Sequence, residues 1–334
     1  MCLLLIEIIA VINFNDPQTR YLIDFANLKH GIIKYQKNFI NKNQLNKFFK
    51  NKFYGMPLLL PYGIKYFDYS NAKKFSISQI DIRKKIFNIK KSDYVGLKIF
   101  YKYGDTFCTG AKIKKKYIKH VNFIINFNKK IIKNIKKTGK NKKTAFQTRN
   151  IPHLGHERIF EKILEISDLI VINPLLGIKK KNDCTNFALK KSYSVLRKIY
   201  KGKLIYLPVI ANMHYCGPRE AIHHLNLREK LGFNIFAVGR DHAGAENVYH
   251  PQSAISLIKK NLKKFKIQVF AHMGAYFCKR CNKIILKGEC SHQKNLKEIS
   301  GSEFRQNIMR KKSYKFARKE IQDILRKTNK KLFY

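Results

Sequence analysis

Two histidines, His153 and His156, stand behind a polar run of Gln147, Thr148, Arg149 and Asn150 in the stretch AFQTRNIPHLGHERIFEKI, residues 145–163. An apolar strand end, a polar loop and a helix entered through Pro152 would set both imidazoles on one helical face. A strand–loop–helix junction of this kind also turns backbone N–H groups toward an anion. The chemistry open to these residue types is the grip of a phosphate or another oxyanion. Two more polar segments carry similar side chains: ANMHYCGPREA at 211–221, and GRDHAG at 239–244 with Arg240, Asp241 and His242. Taken singly these signals are weak, because Arg149 can be a structural ion pair, either histidine a core residue and Arg240-Asp241 an ordinary turn. A separate constellation, Cys278-x2-Cys281-x8-Cys290-x-His292, has the spacing of a closed tetrahedral zinc site, with free buried thiols as the alternative. Four side-chain ligands leave no open coordination position, which favours a structural metal over a catalytic one.

The elements that must position these residues follow from hydrophobic patterning. From residue 143 onward strand and helix alternate. Ile159, Phe160, Ile163 and Leu164 give the helix after His156 its apolar stripe, and 169–172 reads as a fully buried strand. A helix at 187–200, a strand at 204–210, a helix at 218–231, a strand at 234–238, a helix at 252–264 and a strand at 267–270 continue the series. Such alternation predicts a doubly wound parallel α/β sheet with helices on both faces, whose ligands sit beyond the carboxyl ends of the strands. All three polar segments fall at such ends, and nine of the eleven histidines lie between His153 and His292. The first 140 residues read as short β-rich pieces, among them 94–101 (YVGLKIFY) and 121–127 (VNFIINF), joined by Lys/Asn-rich connectors. Residues 131–143 are a charge run that suits a linker and a solvated helix equally. The last segment, 300–334, is a basic helical tail with Phe316, Ile321, Ile324 and Leu325 as a partial apolar face; with the chain stopping soon after, no fused kinase is expected. The expected division is 1–140, 141–275 and 276–334.

A chain of 334 residues with Lys+Arg 69 against Asp+Glu 21 has a formal charge of +48. The excess is spread evenly and accompanies heavy use of Asn, Ile, Phe and Tyr with no Trp, which fits a drift in composition better than a dedicated nucleic-acid surface. The positive field would still steer an anionic substrate. The apolar run 1–12 is interrupted by Glu7 and is too short for a membrane span, so it is expected to be a buried strand rather than a signal peptide. Seven cysteines do not make a secreted disulfide framework at this length, and Cys2, Cys108, Cys184 and Cys216 look like isolated packing residues, which places the chain in a reducing, cytoplasmic compartment.

Together QTRNIPHLGHE, GPREA and VGRDHAG resemble ATP sulfurylase, the family that joins sulfate to ATP, and the resemblance runs in order to the Ile-Ser-Gly-Ser segment at 299–302. It implies a Rossmann-like, HUP-type catalytic domain, a PUA-like β-rich N-terminal domain, of which 56–66 (MPLLLPYGIKY) is a faint trace, and assembly at least as a homodimer. It implies that Gln147 and Arg149 hold sulfate with the backbone N–H of Ala243, and that Thr148, Arg149 and Asn150 form the active-site trio. His153 and His156 would neutralise phosphate charge, and Gly239, Arg240, Asp241 and His242 would form the nucleotide loop with Arg240 on phosphate. Magnesium would enter with ATP, and some members carry zinc where Cys278, Cys281, Cys290 and His292 stand. The chemistry agrees: sulfate is a poor nucleophile, so catalysis must come from in-line positioning and fixed positive charge. The chain departs from the family pattern at Ile151, which precedes Pro152, at His214 and Cys216 in the second motif, and at Ala245-Glu246-Asn247. Two other readings are another HxxH nucleotidylyltransferase and a basic zinc-containing nucleic-acid binder; the latter leaves all three strand-end motifs unexplained.

Overall fold

A computed structural model describes residues 11–52 and 54–334, so Cys2 and nearly all of the expected N-terminal strand lie outside the described residues. The N-terminal part mixes helices with small antiparallel sheets. Helices α1 (Thr19–His30) and α2 (Lys42–Phe49) precede the two-residue strands β1 (Leu60–Pro61) and β2 (Phe67–Asp68), then β3 (Lys73–Ser76). Helix α3 (Val95–Phe100), strands β4 (Thr106–Thr109) and β5 (Lys112–Ile113), and the long helix α4 (Ile118–Lys137) complete it. Antiparallel pairing gives one sheet of order β1-β4-β3 and a second of β2-β5.

Two expected strands are helices. Residues 95–100 of the first form α3, with Tyr94 and Tyr101 as its caps, and 121–127 lie inside α4. The cause in α4 is visible over a longer window: Val121, Ile124, Phe127, Asn128, Ile131 and Ile135 are buried at helical spacing, and lysines fill the opposite face. A seven-residue apolar run shows neither period. The same helix resolves the charge run at 131–143, which is helical to Lys137 and irregular until strand β6 (Lys143–Phe146).

From β6 the alternation is as expected: α5 (Leu154–Leu164), β7 (Leu169–Ile172), α6 (Asn186–Ile199), β8 (Leu204–Tyr206), α7 (Pro218–Leu231), β9 (Ile235–Gly239), α8 (Ser253–Asn261) and β10 (Gln268–His272). The five strands pair in parallel in the order β10-β9-β6-β7-β8. Side chains alternate across each strand, and this alternation separates two cores. Leu169 and Val171 of β7 join a cluster with α1, α4, α7 and α8 on one face, while Ile170 and Ile172 join α5 and α6 on the other. Each fully buried aliphatic side chain contributes about 1.5–3 kcal/mol. The N-terminal residues and α7 share one continuous core, so the N-terminal part closes one face of the parallel sheet.

After β10 the chain turns at Gly274, whose φ of 85° is a left-handed conformation that strains any residue with a side chain. Strands β11 (Ala275–Cys278), β12 (Lys283–Leu286) and β13 (Leu296–Glu298) form an antiparallel sheet of order β12-β11-β13. Helices α9 (Gly301–Met309) and α10 (Lys319–Arg326) then return to the second core through Phe304, Ile308, Ile321 and Leu325. Among the described residues no helix is long and apolar enough to cross a membrane.

Candidate active site

The strand order reverses between β6 and β9, and the crevice beyond their carboxyl ends is where such a sheet admits a ligand. A cleft of about 900 Å³, counted to its open mouth, lies there. Gln147, Thr148, Arg149, Asn150, His153 and His156 line one wall, and Gly239, Arg240, Asp241, His242 and Ala243 the other. Two of the three polar segments therefore meet. The third lines the cleft through Met213, which accepts a contact from the Gln147 Nε2 at 3.4 Å, and supports it from behind through Tyr215 beneath Arg149 and the Gly217 N–H on the Ala243 carbonyl at 3.2 Å.

The rest of that third segment is turned inward. His214 is buried with its Nε2 3.7 Å from Asp24 Oδ1 of α1, and burial, then Arg20, keeps its pKa well below the ordinary value. Arg219 donates to Asn51 Oδ1 at 2.8 Å and to the Phe48 carbonyl at 3.1 Å, away from the cleft. Glu220 is fully buried and accepts the backbone N–H groups of His214 at 2.7 Å and Cys216 at 2.8 Å, fixing the loop before α7. His214 thus supplies no charge to the cleft, and Cys216, Cys108 and Cys184 are buried packing residues.

On the first wall, Thr148 Oγ1 accepts the Asn150 N–H at 3.0 Å, bending the loop so that Arg149 points across the cleft. The Arg149 Nη2 donates to the Gly244 carbonyl at 3.0 Å, while its Nη1 is buried without a hydrogen-bond partner. Asn150 Oδ1 accepts from Arg305 of α9. His153 is not in the helix but caps it in an extended conformation, and His156 occupies the first turn. Their ring centroids are 3.9 Å apart, which Gly155 permits because a Cβ there would meet the His153 ring at 3.0 Å. The His153 N–H donates to His156 Nδ1 at 3.2 Å. A ring nitrogen that accepts is unprotonated, so the proton of His156 sits on Nε2. Burial, then Arg240, lowers the His153 pKa to about 3, and burial with His153 and His272 nearby keeps His156 well below its ordinary value. Both rings are neutral donors at neutral pH.

The helix start offers less bare backbone than its sequence promises. Leu154 N–H donates to the Phe316 carbonyl at 2.8 Å, and the N–H groups of His156 and Glu157 return to the His153 carbonyl. Glu157 itself is engaged by Arg318, with Nε 2.8 Å from each carboxylate oxygen.

On the second wall, Asp241 and Ala243 both adopt left-handed backbone, with φ of 46° and 63°, on either side of His242. Turns of this type can gather N–H groups into an anion-binding concavity; here the Asp241 N–H goes to the Pro251 carbonyl at 2.9 Å and the Gly244 N–H to the Asp241 carbonyl at 3.0 Å. Burial lifts the Asp241 carboxyl to about 6, and its Oδ1 has no hydrogen-bond partner. His242 Nε2 lies 3.2 Å from His224 Nδ1. Arg240 is paired with Glu298 of β13, and its Nη1 is 3.4 Å from the Tyr276 hydroxyl of β11.

The Cys/His constellation also comes together: the ligand atoms of Cys278, Cys281, Cys290 and His292 all lie within 4.8 Å of one another. Cys278 Sγ is 3.8 Å from both Cys290 Sγ and His292 Nδ1, and Cys281 Sγ is 3.2 Å from His292 Nδ1. A tetrahedral zinc ion with Zn–S bonds of about 2.3 Å would need S···S edges of about 3.8 Å, so the donor set fits that ion. The Cys281 N–H donates to Cys278 Sγ and helps to pull that thiol down to about 6, toward the thiolate that binds metal. This sheet is fastened to α5, because Arg158 holds Glu289 with contacts of 2.6 and 3.1 Å and Gly155 lets Ala275 approach.

The ATP-sulfurylase family model matches residues 125–328, well over half of the chain. The chain belongs to the ATP-sulfurylase family. The sulfate adenylyltransferase of Pyrococcus abyssi (strain GE5 / Orsay) is 39% identical over 187 residues, covering 54% of this chain and 49% of that one. That of Persephonella marina (strain DSM 14350 / EX-H1) is 36% identical over 197 residues, 58% and 51% of the two chains. The chain thus spans about half the length of the curated relatives it matches. A solved structure, the hexameric APS kinase from Thiobacillus denitrificans, shares the fold at a TM-score of 0.58 and 11% identity, over 93% of this chain and 62% of that one.

Within this cleft of an ATP-sulfurylase family member stand residues that no motif in the sequence singles out. His272, at the carboxyl end of β10, lines the cleft, and burial, then Arg240, lowers its pKa to about 4. The strand-end rule that selected the other segments would have found it. Arg305, Glu298 and Asp183 reach the site residues from other parts of the chain, and no local spacing announces them.

Proposed function

We propose that this chain is a sulfate adenylyltransferase that forms adenosine 5′-phosphosulfate and diphosphate from ATP and sulfate, or runs the reverse. The observation that carries this reading is the meeting of Gln147–His156 with Gly239–Ala243 across one cleft at the switch point of the parallel sheet. A sulfate oxygen attacks the α-phosphorus, the bond to the β-phosphate bridging oxygen breaks, and diphosphate leaves with that electron pair. Gln147, Arg149 and the Ala243 N–H form the sulfate half; Arg149 suits a planar two-point grip on an oxyanion. Arg240, His153 and His156 form the phosphate half, with Thr148 and Asn150 shaping the loop between them and Gly239, Asp241 and His242 bordering the nucleotide. The neutral rings act first as N–H donors, and a phosphate brought against them raises their pKa toward the charged form. Magnesium held by the nucleotide would shield charge between the phosphates. Among the described residues Asp241, with its unpartnered Oδ1, is the one carboxylate lining the cleft, which suits an ion bound chiefly by phosphates rather than by a protein cage.

The Cys278–His292 group is read as a structural zinc site, and the division 1–140, 141–275 and 276–334 as the working domain map. A cytoplasmic location and a homo-oligomer are part of the same proposal. In the direct test, purified protein is given adenosine phosphosulfate and diphosphate, and ATP is measured. The wild type should form ATP and Arg149→Ala should lose roughly 10²–10³-fold of the rate. No ATP from the wild type would sink the reading.

A further inference from the structure

Arg149 is held from below by a buried side-chain assembly. Its Nη1 lies 3.6 Å from Asp183 Oδ2, and its guanidinium carbon stands 5.4 Å from the centroid of the Tyr215 ring. Asp183, in the loop between β7 and α6, is only 2% exposed. Its Oδ2 accepts the Tyr215 hydroxyl at 2.9 Å, and that hydroxyl in turn accepts the Lys180 N–H at 2.9 Å. Lys180 Nζ is 3.3 Å from Asp183 Oδ1.

The assembly has little freedom to relax. Tyr215 is fully buried with a φ of 56°, a left-handed conformation that a bulky aromatic residue adopts only when its surroundings enforce it. Its carbonyl accepts the Tyr94 hydroxyl at 2.5 Å. The Asp183 backbone is pinned as well, because its carbonyl accepts the Tyr334 N–H at 3.0 Å and Thr185 N–H donates to the Leu332 carbonyl at 2.9 Å. Burial acts to raise the Asp183 carboxyl, but Arg149, then Lys180 and Tyr215, hold it below the usual range, so it stays a carboxylate.

A carboxylate beside an anion-gripping guanidinium opposes anion binding by charge alone, so its presence needs another reason. At 3.6 Å it does not consume Nη1 as a bidentate partner would, and that nitrogen is left buried without a hydrogen bond. We infer that Asp183, fixed by Tyr215 and standing behind Nη1, is a positioning residue that locks the plane in which the Arg149 guanidinium meets the sulfate oxygens. This rests on the proposed sulfate adenylyltransferase reading for the identity of the anion, but the locking itself is a property of the protein alone.

The test therefore has a readout that needs no turnover. With arginine labelled in nitrogen-15, the Arg149 Nη resonances of the wild type should be resolved because rotation of the guanidinium is hindered, and should average in Asp183→Asn. Tyr215→Phe removes the hydroxyl contact while leaving the carboxylate, and should give intermediate averaging. In the reverse assay Asp183→Asn should lose about 10–100-fold in kcat, with the KM for diphosphate changed less than threefold, and Asp183→Glu should recover part of the loss. Arg149 resonances as hindered in both variants as in the wild type would overturn the inference. So would a kcat within twofold of wild type in Asp183→Asn. A wild type with resolved Nη signals but no ATP formation would instead sink the enzymatic reading and leave the locking supported. If Asp183→Asn does not fold, Tyr215→Phe carries both measurements.

Discussion

The two arginines of the cleft are anchored in opposite ways. Arg149 is backed by a nearly fully buried carboxylate and a fully buried ring, whereas Arg240 is backed by Glu298, whose side chain is 47% exposed, and by a Tyr276 hydroxyl at 3.4 Å. A buried charge whose partner is removed is left uncompensated, at a cost of several kcal/mol. An exposed pair contributes about 0–1 kcal/mol, and water replaces it readily. On the proposed assignment, the half that would hold sulfate is therefore set in advance, and the half that would hold phosphate is adjustable. The anchors of the adjustable half also belong to the metal-fitting sheet, since Tyr276 lies on β11 and Glu298 on β13.

Removing the proposed structural metal should separate the two halves most sharply. Structural zinc contributes roughly 10–16 kcal/mol to the folding of small sites, comparable with the whole stability of a domain, so its loss should unfold β11–β13. The cleft then loses its Ala275 lining and Arg240 loses the Tyr276 hydroxyl, while α5 loses Glu289 and the Ala275 contact beside His153. Nucleotide binding, followed by calorimetry after chelation or in Cys281→Ser, should weaken at least tenfold, while the Arg149 Nη signals stay hindered. Unchanged nucleotide affinity in protein shown to be metal-free would break the link between the sheet and the phosphate half.

What could be read from the sequence divides along the same line as the anchors. Strand 169–172 and helix 218–231 match their expected bounds because hydrophobic period and Pro/Gly punctuation are local signals. The loop 147–150 and the turn 239–244 are recognisable by residue type and strand-end position, and the Cys/His cluster by spacing. The segments 94–101 and 121–127 were misread because short apolar runs are decided by tertiary packing. Asp183, Glu298 and Arg305 were not legible at all, since a charged residue becomes a partner of the site only through folding. His214 shows the reverse: a residue inside a recognised motif that faces α1 instead of the cleft.

Acid should act on both stability and the phosphate half. Burial holds His153 at about 3, and His223 and His272 at about 4, and His156, His214, His224 and His242 are lowered too. A lowered folded-state pKa means that, as pH falls below the unfolded value of about 6.5, the unfolded chain takes up protons that the folded chain refuses. Each such histidine removes up to about 1.4 kcal/mol per pH unit until its folded pKa is reached. Asp24, raised to about 7, Asp241, raised to about 6, and Glu220, also raised, oppose this by gaining stability toward acid. The histidines outnumber them, so the unfolding midpoint should drop between pH 6.5 and 4.5. Diphosphate should move that limb to lower pH or soften it, because in the proposed arrangement His153 and His156 face it, whereas sulfate alone should not. An equal shift by both anions would erase the distinction between the halves.

The smallest effect separates an anchor from a competitor. Glu298→Gln keeps the side-chain shape and removes the charge that faces Arg240. If the carboxylate occupies Arg240 until phosphate displaces it, neutralising it should tighten nucleotide binding twofold to fivefold. That gain corresponds to about 0.4–1 kcal/mol, the range of an exposed pair. The KM for sulfate should not move, because the Arg149 side shares no partner with Glu298. Weaker nucleotide binding in Glu298→Gln would mean that Glu298 orients Arg240 as Asp183 orients Arg149. The two halves would then differ only in burial, and the exposed pair would be a second positioning device rather than a placeholder for phosphate.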